Sequence, residues 1–229
     1  MALDARFLYG LNNNDPVTDF FSRGGPYPVQ TTVSLKPTYK TAQQGGNPVV
    51  SFNNDYMLES AGVAGTTSNW SMIACMKSYA WNGNTSGGGS IISCAQGSAF
   101  TQDILIGRTQ TLEFFEVDNG ANGNGSLNVL SAGEQIKSVV YDGTQTGNTD
   151  RLKYFFNGSA QTLTYNYTVP ASVNPSGGYG VGVYKGAMSS EWWLVGDMCS
   201  LTVFRTQLSN SLRRRLEAAA SLSFKMPCS

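Results

Sequence analysis

The stretch "SVVYDGTQTGNTDRLKYFFNG", residues 138–158, holds two turn signals at the ends of one unit. An apolar run ends at Asp142-Gly143, a polar loop follows, and a second apolar run ends at Asn157-Gly158. Asp-Gly and Asn-Gly beside strand-like runs are strong hairpin signals. Glycine tolerates positive φ, and an Asp or Asn side chain bonds its own backbone. The stretch reads as strand, loop, strand, turn. Asp142, Asn148 and Asp150 share the loop, which also makes Asp142 and Asp150 candidate metal ligands. Turn formation is the simpler role for Asp142.

The pattern repeats on both sides. Short apolar runs such as "NWSMIACMKSYAW" (69–81), "SIISCAQ" (90–96), "FTQDILIGR" (100–108) and "TLEFFEVDNG" (111–120) are separated by Gly, Asn, Ser and Thr. Further runs follow in "GGYGVGVYKG" (177–186) and "EWWLVGDMCSLTVFRT" (191–206). Regular short strands with turn signals between them predict an all-β sandwich. One helix is expected, over residues 208–224. Ser209 is its N-cap, Leu208, Leu212, Leu216 and Ala219 form its inward face, and Pro227 stops it. Residues 1–45 are rich in turn formers and are expected to wrap the sandwich irregularly. The whole chain, 1–229, reads as one domain.

Composition narrows the function. Fifteen basic residues balance fifteen acidic ones, and 13% of residues are charged, so no basic field draws nucleic acid or an anionic membrane. The chain holds no histidine, which excludes Ser-His-Asp and Cys-His catalysis and HExxH zinc sites. No apolar run approaches the ~20 residues of a membrane helix. The start, with Asp4 and no long apolar stretch, does not read as a secretory signal. The four cysteines, Cys75, Cys94, Cys199 and Cys228, match no zinc spacing. Cys75, Cys94 and Cys199 read as small buried apolar groups, with a Cys75–Cys94 disulfide as the alternative.

Five segments now form an ordered set: "PTYKTAQQGGNPVVSFNNDYM", "WSMIACMK", "SIIS", "VVYDGT…RLKYFFNG" and "GDMCSLTVFRTQLSNSLRRRLEAAASLSFK". Together they resemble laminin-G-like domains of the concanavalin A-like lectin/glucanase superfamily, over about residues 5–225. Three positions depart from that pattern. "AGEQIKS" stands where histidines are common, Ser200 where an acid is frequent, and Cys75 where an aromatic is frequent. The resemblance implies a two-sheet antiparallel jelly-roll sandwich, concanavalin A-like, with a short C-terminal helix. It implies no single function, since members bind glycans or proteins, sometimes through calcium, and some cleave glucans.

Each function has its own requirement. Glucan cleavage needs two carboxylates facing one sugar. On "EFFEVDNG", Glu116 and Asp118 share a face, but Phe114 and Gly120 extend that face and Glu113 points the other way. The expectation is therefore a protein that is not an enzyme. Glycan binding needs aromatic platforms and polar loops, for which Trp192, Trp193, Tyr184 and Asp118 are the candidates, with Tyr179 and Trp81 behind them. Calcium, the one cofactor to consider, needs converging oxygens, from Asp142, Asp150, Asp103 or Asp118. The Arg213–Arg215 run reads as a solvated helix face, or as a contact to an acidic neighbouring subunit. The expected function is a structural or adhesion module of a bacteriophage particle, decorating the capsid or attached to tail or fibre. Its partners would be other virion proteins, surface glycans and further copies of itself. A secreted carbohydrate-binding lectin, extracellular rather than virion-borne, is the alternative.

Overall fold

The computed structural model describes residues 1–20, 28–59, 66–80, 89–95, 102–119, 124–127, 133–175, 178–183 and 193–228. In chain order the strands are β1 (Ala2–Asp4), β2 (Thr38–Gln44), β3 (Asn47–Asn53), β4 (Met57–Leu58), β5 (Asn69–Ala80), β6 (Gly89–Ala95), β7 (Asp103–Arg108), β8 (Glu113–Asp118), β9 (Asn124–Leu127), β10 (Gln135–Asp142), β11 (Leu152–Phe156), β12 (Ser159–Gln161), β13 (Thr164–Tyr165), β14 (Tyr179–Val181) and β15 (Val195–Phe204). A single helical turn, α1 (Asn148–Arg151), precedes β11, and α2 (Asn210–Phe224) follows β15. One sheet runs β12-β11-β10-β5-β15-β3-β2, with β1 also on β15; the other runs β13-β9-β8-β7-β6-β14-β4. All pairings are antiparallel, and the result is a lectin-like jelly-roll sandwich with a short C-terminal helix.

Side-chain alternation builds the core. Trp70, Met72, Ala74 and Met76 of β5 and Val139 and Tyr141 of β10 turn inward from one sheet. Ile104 and Ile106 of β7 and Phe115 and Val117 of β8 meet them from the other. The Trp70 and Phe115 rings lie across that seam, 6.1 Å between centroids. β10 is buried at every position, because α2 covers its outer face. Between sheet and helix lies a second, smaller core of Val49, Ile73, Cys75, Ile136, Cys199, Leu208, Phe224 and Met226.

The 138–158 stretch forms β10, α1 and β11, with Tyr141 opposite Leu152. Its two glycines serve different ends. Asn157 and Gly158, at φ 46° and 88°, make a tight turn into β12 that uses left-handed backbone. Gly143 has no positive φ. A Cβ there would lie 1.9 Å from the Ala171 carbonyl oxygen, so the residue is glycine for space rather than for backbone freedom.

Ser209 caps α2 by accepting from the Leu212 N–H, as expected. The expected inward face holds in part: Leu208 is buried and Leu216 packs, partly buried, against the second core. Arg213, Glu217 and Phe224 are buried, whereas Leu212 is 42% exposed and Ala219 is exposed. Arg213 turns inward because its charge is met there. Nη1 donates to both Glu217 oxygens at 2.5 Å, Nη2 donates to Asn210 Oδ1, and the guanidinium stacks 3.5 Å from the Phe155 ring. Of the three arginines only Arg214 and Arg215 face solvent. The helix ends at Lys225 in left-handed backbone, and Gln44 and Asn47 donate to the carbonyls of Phe224 and Ser223.

Two further expectations change. Residues 1–45 are not irregular throughout, since β1 and β2 take ordered places in the first sheet. Cys75 and Cys94 cannot pair, because Cys75 lies under α2 while Cys94 lies in the core between the sheets.

Candidate functional site: a carboxylate cluster beside an amide-lined cleft

Because Ile104, Ile106, Phe115 and Val117 point into the core, the alternate residues of β7 and β8 point to the opposite face. Antiparallel register sets Asp103 directly opposite Asp118, and Glu116 lies two residues before Asp118 on the same face. One carboxylate oxygen from each of the three lies within 4.8 Å of the others. Asp103 and Asp118 are fully buried and Glu116 partly so.

Three carboxylates this close present oxygens that one cation can bridge. The donors are all oxygens, with no sulfur or imidazole, which suits a hard cation such as calcium over zinc or copper. Three carboxylates offer up to about six oxygens, near the lower end of calcium's needs. The donor set therefore fits the ion.

The chain neighbours of the two aspartates line a polar cleft of about 330 Å³. Gln102 Nε2 donates to the Asn119 carbonyl at 3.2 Å, and the Asn174 N–H donates to Gln102 Oε1 at 2.8 Å. Thr66 and Ser172 add hydroxyls to the wall. Asn174 Oδ1 has no hydrogen-bond partner among the described residues. Amides and hydroxyls of this kind both donate and accept, as vicinal sugar hydroxyls do.

The residues expected from the sequence divide. Asp118 belongs to the cluster, and Asp103, weighed as a calcium ligand, joins it. Asp142 and Asp150 do not. Asp142 is buried and spends its oxygens on its own turn. Oδ1 accepts from the Thr144 N–H and hydroxyl at 3.1 and 2.5 Å, and Oδ2 accepts from Gln145 Nε2 at 2.9 Å. Burial pushes its carboxyl up, but these bonds outweigh burial and hold it below its ordinary value. Asp150 is exposed in α1. Trp193 is partly buried, 6.1 Å from the Tyr56 ring, and Tyr179 is only 6% exposed, so neither offers an open platform. Trp192, Tyr184 and Trp81 lie outside the described residues.

Two other features escape the sequence reading. A groove of about 530 Å³ runs between the start of α2 and β11–β12, lined in part by Lys153, Phe155, Gln161 and Asn210. Lys137 and Glu113, both fully buried, form an ion pair between the sheets at 2.5 Å, and the Tyr154 hydroxyl donates to Glu113 Oε2 at 3.3 Å. Inward alternation with Val139 and Tyr141 was the available signal for Lys137.

No family model and no curated protein sequence matches this chain. Solved structures do. Domain 4 of AbnA, an extracellular GH43 arabinanase of Geobacillus stearothermophilus solved with arabinotriose, aligns at TM-score 0.53 and 12% identity over 77% of this chain and 78% of that one. The binding domain of botulinum neurotoxin serotype G aligns at TM-score 0.53 and 13% identity over 90% and 51%. NanB sialidase of Streptococcus pneumoniae aligns at TM-score 0.53 and 14% identity over 75% of this chain, which spans only 27% of that enzyme. At these identities the likeness is one of fold, and the fold these chains share with this one is the lectin-like β-sandwich.

Proposed function

We propose that this chain is a non-enzymatic adhesion module that holds a glycan at the cleft beside Asp103, Glu116 and Asp118, with calcium bound by those carboxylates. The observation that carries this reading is the carboxylate cluster whose chain neighbours, Gln102 and Asn119, line an amide-rich cleft. Bound there, calcium would supply positive charge to the three carboxylates and hold the strand ends beside the cleft in one arrangement. The chain's own part is to orient the carboxylates by strand register and to present amide donors and acceptors at the strand ends. The arabinotriose bound by the arabinanase domain supports a sugar as ligand for this sandwich.

A glycan array run with calcium and again with chelator tests the reading. Spots that bind with calcium and fade with chelator or with Asp118→Asn support it; a blank array in both arms overturns it. Hydrolysis is the competing reading, because retaining glycosidases set two carboxylates about 5 Å apart. Full burial of Asp103 and Asp118 argues against it, since neither can reach a glycosidic bond. Release of reducing sugar from a β-glucan, lost in Glu116→Gln, would establish it.

Composition supports a place of action. A surface rich in Asn, Ser, Thr and Gly with 13% charged residues suits a protein packed among other proteins of a phage particle, as capsid decoration or tail appendage. The resemblance to concanavalin A-like domains fits the same picture. Capsid or tail genes beside the coding sequence would support the virion placement. A locus of secreted carbohydrate enzymes would favour the extracellular lectin instead.

A further inference from the structure

We propose that Cys75 and Cys199 form a disulfide site joining β5 to β15, the two strands at the centre of the first sheet, when the chain folds in contact with a small-molecule disulfide. The register of the two strands carries the argument. Met198 pairs with Met76 and Ser200 with Cys75, and the ladder shifts between Met198 and Ser200. Cys199 is thus the extra residue of a β-bulge beside Cys75. In an unbroken strand Cys199 and Ser200 would point to opposite faces. Here Met198 and Leu201 both pack between the sheets, while Cys199 joins Cys75 in the core under α2. In a bulge two residues of the longer strand oppose one residue of its partner, so Cys199 and Ser200 together face Cys75, a placement that suits the Cα span of about 4.4–6.8 Å that a disulfide needs. Same face, adjacent strands and compatible spacing are the conditions the bond requires. Cys94 meets none of them, since it lies in the other core with Sγ on the Pro175 carbonyl.

The chemistry is ordinary thiol–disulfide exchange. One protein thiolate attacks the small disulfide, forms a mixed disulfide and expels one small thiolate. The second protein thiolate attacks the protein sulfur of that mixed disulfide. The Cys75–Cys199 bond forms and the second small thiolate leaves. The two protons lost by the cysteines end on the two released thiols, and the small disulfide takes the two electrons. Arg6 carries positive charge beside both cysteines, which favours their thiolates. Burial acts the other way and is stronger, pushing the Cys75 thiol up to about 12. Exchange in the folded protein is therefore slow, and the bond closes as the sheet assembles, before α2 seals it.

The test uses the full chain in two arms. One folded sample is incubated with oxidised glutathione at mildly alkaline pH. A second is unfolded and refolded in a glutathione redox buffer. Free thiols are then alkylated under denaturing conditions and the digest is mapped by mass spectrometry without reduction. The expected result is a Cys75 peptide joined to a Cys199 peptide, abundant in the refolded arm and slower to form in the folded arm. Cys94 and Cys228 carry the alkyl label in both. Cys228→Ser keeps the link and Cys199→Ser abolishes it, leaving Cys75 alkylated. The linked protein melts above its reduced form. Alkyl label on both Cys75 and Cys199 after refolding overturns the proposal. So does a link from either of them to Cys94 or Cys228 in preference to each other.

Discussion

Lys137 and Glu113 give the most demanding test of how the sandwich is held. Both side chains are fully buried, Nζ lies 2.5 Å from Oε2, and Lys137 also stands 4.5 Å from the centre of the Phe156 ring. Removing one partner breaks a fully buried ion pair, which costs about 3–5 kcal/mol. In a domain of this size each kcal/mol moves the melting temperature by about 2–4 °C. Lys137→Met and Glu113→Gln should therefore each melt about 10 °C lower. The double change Lys137→Met/Glu113→Leu removes both members of the pair together and should recover much of the loss. About 1 kcal/mol should remain lost, because the Tyr154 hydroxyl loses its acceptor. Urea unfolding of the four proteins reads the coupling directly.

The same pair makes a pH claim. Burial pushes the Lys137 ammonium down from 10.5 to about 8, although Glu113 opposes the shift. Between those two values the unfolded chain keeps a proton that the folded chain has released. The unfolded state binds more protons there, so stability rises with pH. Wild type should gain on Lys137→Met as pH climbs from about 8 toward 10.5. Single changes costing under about 1 kcal/mol, or a double change as damaging as the sum of the singles, would refute the reasoning.

Three further outcomes follow from the geometry. Calcium should raise the melting temperature of wild type in a fluorescence melt, and Asp118→Asn should abolish that rise, because one of the three converging carboxylates is gone. Gly143→Ala should cost about 3 kcal/mol in urea unfolding, since its methyl meets the Ala171 carbonyl oxygen, and Asn157→Ala about 2–3 kcal/mol, since it combines positive φ with loss of the Oδ1 that accepts from the buried Ile136 N–H. On α2, Leu212→Ser should shift stability by under about 0.5 kcal/mol while Glu217→Ala costs about 3 kcal/mol, which reverses the order its leucines suggest.

The fold was legible where a residue's own chemistry decides its place. Asn157-Gly158 announced a tight turn, Ser209 announced a cap, and alternation marked β5, β8 and β10. On α2 the inward turn of Leu208 and Leu216 was legible, but that of Arg213 was not, because it is stable inside only when Glu217 and the Phe155 ring are there to receive it. Phe155 is 58 residues away in sequence, and periodicity treats any arginine as outward. The carboxylate cluster was half legible. Glu116 and Asp118 share a strand and could be placed on one face, but Asp103 joins them only through the β7–β8 register. The same limit applied to the cysteines, whose faces depend on a bulge that leaves no composition signal.

The strand order of the first sheet bears on how the chain is made. β5, one of its central strands, is flanked by β10 and by β15, which ends at Phe204. A ribosome must therefore deliver nearly the whole polypeptide before Trp70, Met72 and Met76 can be covered from both sides. Until then the early strands emerge with open edges and apolar faces, at a synthesis rate of about 5–20 residues per second. Pairings this distant in sequence also close slowly once the chain is free. Yield in a recombinant host should thus depend on chaperone supply and growth temperature more than on the stability of the finished sandwich.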